Sequence, residues 1–570
     1  MKNVVFTWLL LIHLFQIFLV SEINLVSAQC LDDQKSLLLE FKRLLKFNST
    51  ASTKLVNWNQ SAEDCCKWGG VVCNKSSGHV IGLELDGESI NGGVSTSALF
   101  KFQYLQKLNL ADNNFEAAEI LSGWSNLTSL TYLNLANNNF NFTEIPPGLF
   151  NLTSLTYLNL SNCGFSGQIP EGLSRMTRLD ILDLSTSFVF GNSALKIDNP
   201  NLIVLVQNLK ELTELYLDGV NMTAEANSWS QAISSSLPNL RVLSLRESHI
   251  AGPIDPSIES LRFLSHIDLN GNNINETVPE FLANLTYLKV LRLSFCNLRG
   301  MFPRRIIQIP TLEILDISDN IYLQVSLPEL PKSGSLRILI LSFTNFSGVL
   351  PESIGNLELL SRIEISNCNF SGSIPDTMGN LRRLVHLEFS YNNFGGHIPL
   401  LQNSKNLIYI DFSHNRLSGT IPSTYFEGFV NLVHVDLGFN VLTGEIPSSL
   451  FALQSLQKIK LSQNLFSGEV PQSLFLNWTA MMGYKDDAEL EINDLRHKIF
   501  KLSFDGNQHS RTKVEWEIIA AETGFSLGLG IIIMPLIFYR RWRMIYFEHI
   551  DEALSWIFKH GSPSKKTKKR

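Results

Sequence analysis

The sequence lacks the motifs that most enzyme classes require. It has no Walker phosphate loop, no kinase elements of the HRD or DFG type, and no metal-ligand spacing. One G-x-S-x-G match, at residues 524–528, stands in an apolar run without the strand–turn–helix context of a hydrolase. We therefore predict that the protein is not an enzyme, and we expect no catalytic residues, no metal ligands and no cofactor.

Positive charge and cysteine are also scarce. Lys and Arg total 46 against 53 Asp and Glu, a net charge of −7, which argues against nucleic acid as a partner. The chain has seven cysteines. None of them follows Cys368, so we expect no disulfide cap on the carboxyl side of the repeats.

The first 28 residues are typical of a secretory signal peptide. Lys2 precedes a long apolar run, and the small residues at 26–28 suit cleavage before Gln29. The remainder of the chain then enters an oxidising compartment, where disulfides form. Residues 29–80 hold four clustered cysteines, for which sequence alone permits three connectivities, with a zinc site as the alternative. These cysteines are Cys30, Cys65, Cys66 and Cys73.

Residues 81–476 repeat the pattern L-x-L-x-x-N-x-F-x-G-x-I-P. Its second apolar position recurs at Leu85, Leu110, Leu135, Leu160, Leu184, Leu217, Leu245, Leu269, Leu293, Ile317, Leu341, Ile365, Phe389, Phe412, Leu437 and Leu461. A unit this short cannot bury its own apolar face, so neighbouring units must stack. The predicted fold class is α/β, a leucine-rich-repeat solenoid with a parallel inner β-sheet.

One register of the repeat, three residues after that apolar position, carries buried polar residues. An amide there can pair turn backbone that would otherwise lack partners, so we predict a structural ladder. The amides are Asn113, Asn138, Asn272, Asn320, Asn392, Asn415, Asn440 and Asn464. Cys163, Cys296 and Cys368 fall at the same register, and we expect them to be buried free thiols.

Sequons for N-glycosylation are dense before the carboxyl-side apolar segment, which predicts a glycoprotein. The acceptors are Asn48, Asn59, Asn74, Asn126, Asn141, Asn151, Asn159, Asn221, Asn275, Asn284, Asn345, Asn369 and Asn477.

The composition changes after residue 476. Residues 477–517 are predicted to form an acidic spacer, and residues 518–539 are apolar enough to span a bilayer. Arginines follow at once in the basic tail, 540–570, so the positive-inside rule predicts a type I membrane protein. Within the predicted span, Gly524 and Gly528 have the spacing that lets two helices approach closely.

Ligand contacts are expected at the outward positions of the inner strands, because the core requires nothing of them. The candidates are Arg246, Glu247, His266, Asp268, Arg292, Arg362, Glu364, His386, Glu388, Tyr409, Asp411, His414, His434 and Asp436. Histidines and carboxylates alternate from His386 to Asp436, which suggests a polar, pH-sensitive binding strip. The alternative is an ordinary solvated sheet face.

In combination these features resemble a plant receptor-like protein of the disease-resistance type. The G-x-I-P motifs, as at 167–170 and 444–447, the four-cysteine cap, the spacer, the GFSLGLG span and the short basic tail carry the resemblance. It implies the pairings Cys30 with Cys65 and Cys66 with Cys73. It also implies a plasma-membrane receptor without a kinase domain, with its repeats extracellular. Such a receptor would bind a peptide, protein or glycan ligand and signal in plant defence through a partner receptor kinase.

The chain departs from that family pattern at its carboxyl side. Similar proteins continue through further repeats and a cysteine-bearing cap, whereas here the repeats pass almost directly into the spacer, which suggests a shortened member. A non-signalling decoy or scaffold therefore stays open as an alternative. So does a binding protein like the polygalacturonase inhibitors, although those are secreted.

Overall fold

The computed structural model describes residues 28–61, 64–92, 98–115, 123–186 and 195–468, together with the backbone of two later strands. The chain divides into two compact units, 1–504 and 505–570, and every described residue lies in the first. Residues 1–27, Asn477, the predicted span with Gly524 and Gly528, and the tail lie outside the described residues. Among the helices that are described, none has both the length and the apolar character needed to cross a bilayer.

The amino-terminal cap contains one amphipathic helix held by two disulfides. Helix α1 (Asp32–Leu44) has acidic residues in its first turn and basic residues in its last, which suits the helix dipole. It buries Leu38 and Phe41 against the solenoid core. Disulfides join Cys30 to Cys65 and Cys66 to Cys73, as the resemblance implied, so these sulfurs do not form a zinc site.

Sixteen short parallel strands form the inner sheet, one for each predicted repeat, and they confirm the solenoid. They are β1 (Val80–Glu84), β2 (Lys107–Asn109), β3 (Tyr132–Asn134), β4 (Tyr157–Asn159), β5 (Ile181–Asp183), β6 (Glu214–Tyr216), β7 (Val242–Ser244), β8 (His266–Asp268), β9 (Val290–Arg292), β10 (Ile314–Asp316), β11 (Ile338–Ile340), β12 (Arg362–Glu364), β13 (His386–Glu388), β14 (Tyr409–Asp411), β15 (His434–Asp436) and β16 (Lys458–Lys460). Each strand pairs in register with the next, so equivalent residues of successive repeats lie side by side.

Smaller sheets run along the flank of the solenoid. The largest has eight parallel strands: Arg299–Met301, Asn320–Val325, Thr344–Gly348, Asn369–Ser373, Asn393–Gly396, Arg416–Thr420, Val441–Glu445 and Leu465–Ser467. Gly167–Gln168 pairs with Leu195–Lys196, and Ile90–Gly92 lies between Lys46–Phe47 and Asn114–Phe115. These strands correspond to the F-x-G part of the repeat, where the chain turns away from the inner sheet.

Short helices connect the strands on the remaining side. The α-helices are α2 (Leu202–Val206), α3 (Trp229–Ser236) and α4 (Arg304–Ile307). The 3₁₀ helices are Leu55–Asn57, Cys65–Lys67, Leu99–Lys101, Trp124–Asn126, Pro147–Asn151, Glu171–Arg175, Thr223–Glu225, Pro256–Ser260, Glu280–Asn284, Glu352–Asn356, Asp376–Asn380 and Ser448–Ala452. Leucine, isoleucine and phenylalanine side chains from all sides meet in one continuous core.

Strands cover the two ends of the inner sheet. Val71–Cys73 of the cap pairs antiparallel with β1. Glu489–Asp494 pairs parallel with β16, and Lys498–Leu502 pairs antiparallel with Glu489–Asp494. The sequence analysis predicted no strand in the acidic spacer, although apolar and acidic residues alternate from Glu489 to Ile492 in the manner of a strand. Part of the predicted spacer, Glu489–Asp494, therefore extends the sheet.

The asparagine ladder is present as predicted. Asn320 is 1% exposed, and its Nδ2 donates to the carbonyls of Leu293, Ile317 and Ser318 at 2.9 Å each. Its Oδ1 accepts the N–H groups of Cys296 and Leu298. One side chain thus satisfies backbone groups of two successive repeats, which is why an amide recurs at this position.

The three single cysteines take the place of ladder amides. The Sγ atoms of Cys163, Cys296 and Cys368 lie 2.9, 3.1 and 3.3 Å from the carbonyl oxygens of Leu135, Leu269 and Leu341, one repeat earlier. Burial raises the pKa of the thiols of Cys163 and Cys368. None of the three forms a disulfide, as expected, but only Cys163 and Cys296 are buried and Cys368 is partly exposed. Their thiols supply part of the carbonyl bonding that the amide supplies elsewhere.

Glu88 joins the cap to the first repeat. Its side chain is 1% exposed and accepts hydrogen bonds from the Ser52 hydroxyl and from the backbone N–H groups of Thr53, Lys54 and Leu55. Burial alone would raise the pKa of Glu88, but these donors outweigh burial and hold it below its ordinary value. The sequence analysis did not identify this residue, because its partners lie more than thirty positions away.

Replacing Glu88 by glutamine is expected to destabilise the cap by about 1–3 kcal/mol, because hydrogen bonds to a charged acceptor are stronger than those to a neutral one. Since folding lowers this pKa, the stabilisation is present above pH 4.5, the ordinary glutamate value, and disappears as the pH falls below it. Denaturant unfolding followed at pH 7 and at pH 3 measures both effects. A difference between parent and variant that stays constant between these pH values would contradict the assignment.

Candidate functional site

The candidate site is the outward face of the inner sheet at strands β12 to β16, where the side chains are buried or partly buried. In-register pairing places the first residues of these strands in one row and their third residues in a second row. The first row is Arg362, His386, Tyr409, His434 and Lys458. The second row is Glu364, Glu388, Asp411, Asp436 and Lys460. The predicted strip from His386 to Asp436 is therefore one contiguous surface.

Aromatic rings stack along the first row. The ring of Tyr409 lies between those of His386 and His434, with centroids 4.3 Å apart on both sides and planes inclined by 10°. Strand spacing sets this distance, because neighbouring strands are about 4.8 Å apart. The three rings form a continuous stack across β13, β14 and β15.

A second ring stack runs beside the strands, at the residue that precedes the ladder amide. The centroid of His414 lies 4.0 Å from that of Tyr391 and 4.1 Å from that of Phe439. Tyr391, His414 and Phe439 have φ angles of +52°, +51° and +55°, a left-handed conformation that is costly for residues other than glycine and asparagine. Tyr391 and Phe439 are about half exposed, at 51% and 47%. The left-handed turn recurs at this register in other repeats, so the stacking and exposure of these rings are what distinguish them.

The sequence analysis named His414 and missed Tyr391 and Phe439. They do not occupy the alternating positions of the strand pattern, so a search restricted to those positions passes over them. The position of these residues in the repeat could have identified them, because Tyr391, His414 and Phe439 each directly precede a ladder amide.

Buried charges at β12 and β13 neutralise one another. Arg362 Nε lies 2.5 Å from Glu364 Oε1, and His386 Nε2 lies 3.0 Å from the same oxygen and 3.5 Å from Glu388 Oε2. Burial alone would raise the pKa of Glu364, but the charges of His386 and Arg362 lower it to about 2. Burial opposes protonation of His386, whereas the charge of Glu364 favours it. The net effect raises the pKa of His386.

The equivalent groups at β14 and β15 have no arginine among them. Asp411 Oδ1 accepts the Ser413 N–H at 2.8 Å, and the Tyr409 hydroxyl lies 3.5 Å from Asp411 Oδ2. Burial and the nearby charge of Asp436 raise the pKa of Asp411 to about 7. Burial, with Lys458 and Lys460 nearby, lowers the pKa of His434 to about 3, so this imidazole is neutral.

The remaining candidates form a separate group at β8 and β9. Asp268 Oδ2 lies 3.9 Å from Arg246 Nε and 3.7 Å from Arg292 Nη1, and burial raises the pKa of Asp268 to about 6. His266 Nδ1 lies 2.8 Å from the Ser265 hydroxyl, and Glu247 occupies the left-handed position after β7. Strands β10 and β11 separate this group from β12, so the fourteen candidates do not form one site.

The sequons are distributed unevenly over the surface. Exposed acceptors lie in turns, flank strands or short helices: Asn48, Asn59, Asn126, Asn141, Asn151, Asn275, Asn284, Asn345 and Asn369. Asn74, Asn159 and Asn221 are partly buried, and Asn159 is the last residue of β4 on the inner face. Strands β12 to β16 carry no sequon.

Family models match two kinds of segment in the chain. A leucine rich repeat N-terminal domain matches residues 31–74, and Leucine Rich Repeat matches 129–152, 154–176, 263–285, 335–357, 359–381 and 406–426. With the fold, these matches define the class: a leucine-rich-repeat solenoid with a disulfide-bonded amino-terminal cap.

The curated relatives make the class more specific. The chain is 29% identical over 289 residues to Receptor-like protein 6 of Arabidopsis thaliana, covering 46% of this chain and 25% of the relative. It is 28% identical over 281 residues to Receptor-like protein 9DC1 of Solanum pimpinellifolium, covering 47% and 28%. These matches confirm the resemblance to plant receptor-like proteins. They span about a quarter of each relative's length.

Two solved structures share the fold. The plant peptide hormone receptor RGFR1 in complex with RGF2 has a TM-score of 0.57 and 28% identity, covering 73% of this chain and 67% of that one. A TDR receptor has a TM-score of 0.57 and 26% identity, covering 69% and 70%.

Proposed function

We propose that the protein is a plasma-membrane receptor of type I topology that binds an extracellular peptide on the face of β12 to β16. In this proposal it signals in plant defence through a partner receptor kinase. The observation that carries the proposal is the pair of ring stacks flanking a row of carboxylates on a receptor-like repeat domain. The peptide hormone receptor among the similar structures supports a peptide as the ligand class.

The dimensions of this face suit an extended peptide. Five strands at about 4.8 Å spacing give a row of about 19 Å, the length of about six residues in an extended chain. Ring stacks supply apolar contact area at low entropic cost, and the carboxylates and lysines between and beside them supply polar partners. The absence of sequons on these strands leaves the face open in a glycosylated protein.

The exposed ring stack provides a test that preserves the fold. Replacing Tyr391 and Phe439 by asparagine removes two rings while introducing a residue that adopts positive φ readily, so stability should stay constant or rise by up to about 1 kcal/mol. Peptides selected on the immobilised full chain from a random display library should bind this variant at least about tenfold more weakly, because stacked aromatic residues are typical hot spots.

Phe295→Asn is the matched control for this test. Phe295 also has a positive φ, of +56°, at the same register, but it follows β9 outside the proposed face. Selected peptides that bind the double variant as well as the parent, or that lose binding only in the control, would rule out this face as the ligand site.

The proposed association with a receptor kinase is tested by substitutions in the predicted spanning helix. We expect a receptor kinase to co-purify with the full chain from plant cells and to be lost when Gly524 and Gly528 are replaced by leucine. Gly530→Leu, which lies off the G-x-x-x-G pair, should retain the kinase. A surface-localised protein that brings down no kinase would refute the signalling proposal and favour a decoy or scaffold.

A further inference from the structure

Two groups of three side chains on the candidate face have the same construction. Glu364 pairs in register with Glu388, and His386 lies two residues before Glu388 on the same strand. Asp411 pairs in register with Asp436, and His434 lies two residues before Asp436. In each group, one ligand atom from each residue lies within 4.8 Å of the others. We call these groups the upper triad (Glu364, His386, Glu388) and the lower triad (Asp411, His434, Asp436).

The two triads differ in the residue that pairs with the histidine. In the upper triad Arg362 occupies that position and forms an ion pair with Glu364, so the triad contains its own cation. In the lower triad the position is held by Tyr409, which is neutral. The lower triad therefore assembles two carboxylates and an imidazole without an arginine of its own.

The imidazole of the lower triad lacks a hydrogen-bond partner. His434 Nε2 is fully buried and makes no hydrogen bond within the part of the chain that the structure describes. A buried polar nitrogen without a partner costs free energy, which a bound ligand would recover. The equivalent His386 Nε2 of the upper triad has Glu364 Oε1 at 3.0 Å. The stacked Tyr409 ring fixes the plane of this imidazole beside the carboxylates.

We propose that Asp411, His434 and Asp436 bind a divalent transition-metal ion. One imidazole and two carboxylates are a donor set that suits Zn²⁺ and similar ions, and three protein donors leave one coordination position for water. Donor atoms around Zn²⁺ lie about 3.4 Å apart when the metal–donor bonds are near 2.1 Å. Side-chain rotations that move the three donor atoms by about an ångström would bring them to that separation. The sequence predicted no metal ligands because these three residues come from two strands and match no local spacing rule.

Two lysines on the next strand disfavour metal binding, because their positive charges repel a cation. Lys458 pairs in register with His434, and Lys460 pairs in register with Asp436. Replacing both lysines by glutamine should therefore strengthen metal binding, since repulsion between like charges falls. Glu388, on the preceding strand, acts in the opposite sense.

Titration of the purified full chain with Zn²⁺ against a chromogenic chelator tests the proposal, with Co²⁺ absorption as a spectroscopic check. We expect one saturable site that weakens at least about tenfold in His434→Phe, which preserves the ring stack, and in Asp411→Asn, which preserves the shape. His397→Phe removes an exposed imidazole outside the face of β12 to β16 and should leave the affinity unchanged. No saturable site, or a site that persists in both lower-triad variants or disappears in His397→Phe, would overturn the proposal. Circular dichroism of each variant verifies folding.

Discussion

Replacing Asn320 by alanine is expected to destabilise the solenoid by about 3–5 kcal/mol. The side chain makes three donor and two acceptor hydrogen bonds to backbone of two repeats while 1% exposed. A hydrogen bond contributes about 1 kcal/mol net, and a buried group left without a partner costs about 1–3 kcal/mol. Alanine removes all five of these bonds, although the Ser318 carbonyl keeps another donor, the Phe295 N–H at 3.1 Å.

Hydrogen exchange and denaturant unfolding of the full chain measure this effect. Because each repeat contacts mainly its neighbours, exchange should accelerate most in β9 and β10 and less at the ends of the solenoid. Asn239→Ala is the control, since Asn239 makes one exposed bond to the Lys210 carbonyl and should cost less than about 1 kcal/mol. Equal losses for the two variants would refute the structural role of the ladder.

Glu364→Ala is also expected to destabilise the protein by about 3–5 kcal/mol, because it removes a buried carboxylate that pairs with Arg362 and His386. Arg362 and Glu364 are 5% and 4% exposed. Denaturant unfolding at pH 6 measures the loss. Glu313→Ala is the matched control: Glu313 lies 3.2 Å from Lys289 and 3.4 Å from Arg337 with a 32% exposed side chain, so removing it should cost no more than about 1 kcal/mol.

The same network has a defined pH dependence. Folding lowers the pKa of Glu364 to about 2, so its contribution is present above the ordinary value of 4.5 and is lost as the pH falls toward 2. Folding raises the pKa of His386, so its contribution is present below 6.5 and is lost as the pH rises through the folded value. The network should therefore contribute most to the stability of the folded protein between about pH 4.5 and 6.5. A variant whose stability deficit is constant from pH 3 to pH 8 would contradict this charge assignment.

The repeat architecture was predictable because its signals are local and recur. Each strand repeats two apolar positions, and Asn113 and Asn464 mark the same register at opposite ends of the ladder. The two strands on the carboxyl side of the repeats were not predicted, because they do not carry the recurring repeat motif. Glu489–Asp494 extends the inner sheet without the repeat consensus, and only its pairing with β16 identifies it.

The candidate site was predicted in part. His386, His434 and Asp436 were identified as outward-facing residues because alternation along a strand determines the side to which each points. Tyr391 and Phe439 were missed, since their exposure follows from a left-handed turn that the alternating pattern does not include. Glu247 and His266 were grouped with the others by position alone, and the structure places them several strands away.

The sequence by itself therefore determined the class of fold, the ladder and which residues of each strand point outward. All of these depend on residues within one repeat of about two dozen positions. Only the tertiary structure decided which outward residues meet, because that depends on the register between strands from different repeats. The same pairing brings His386 of the next strand to Glu364 and Asp436 of the next strand to Asp411, so equivalent carboxylates acquire opposite pKa shifts. Burial and the charge of these neighbours contribute to the shifts, and the neighbours belong to other repeats.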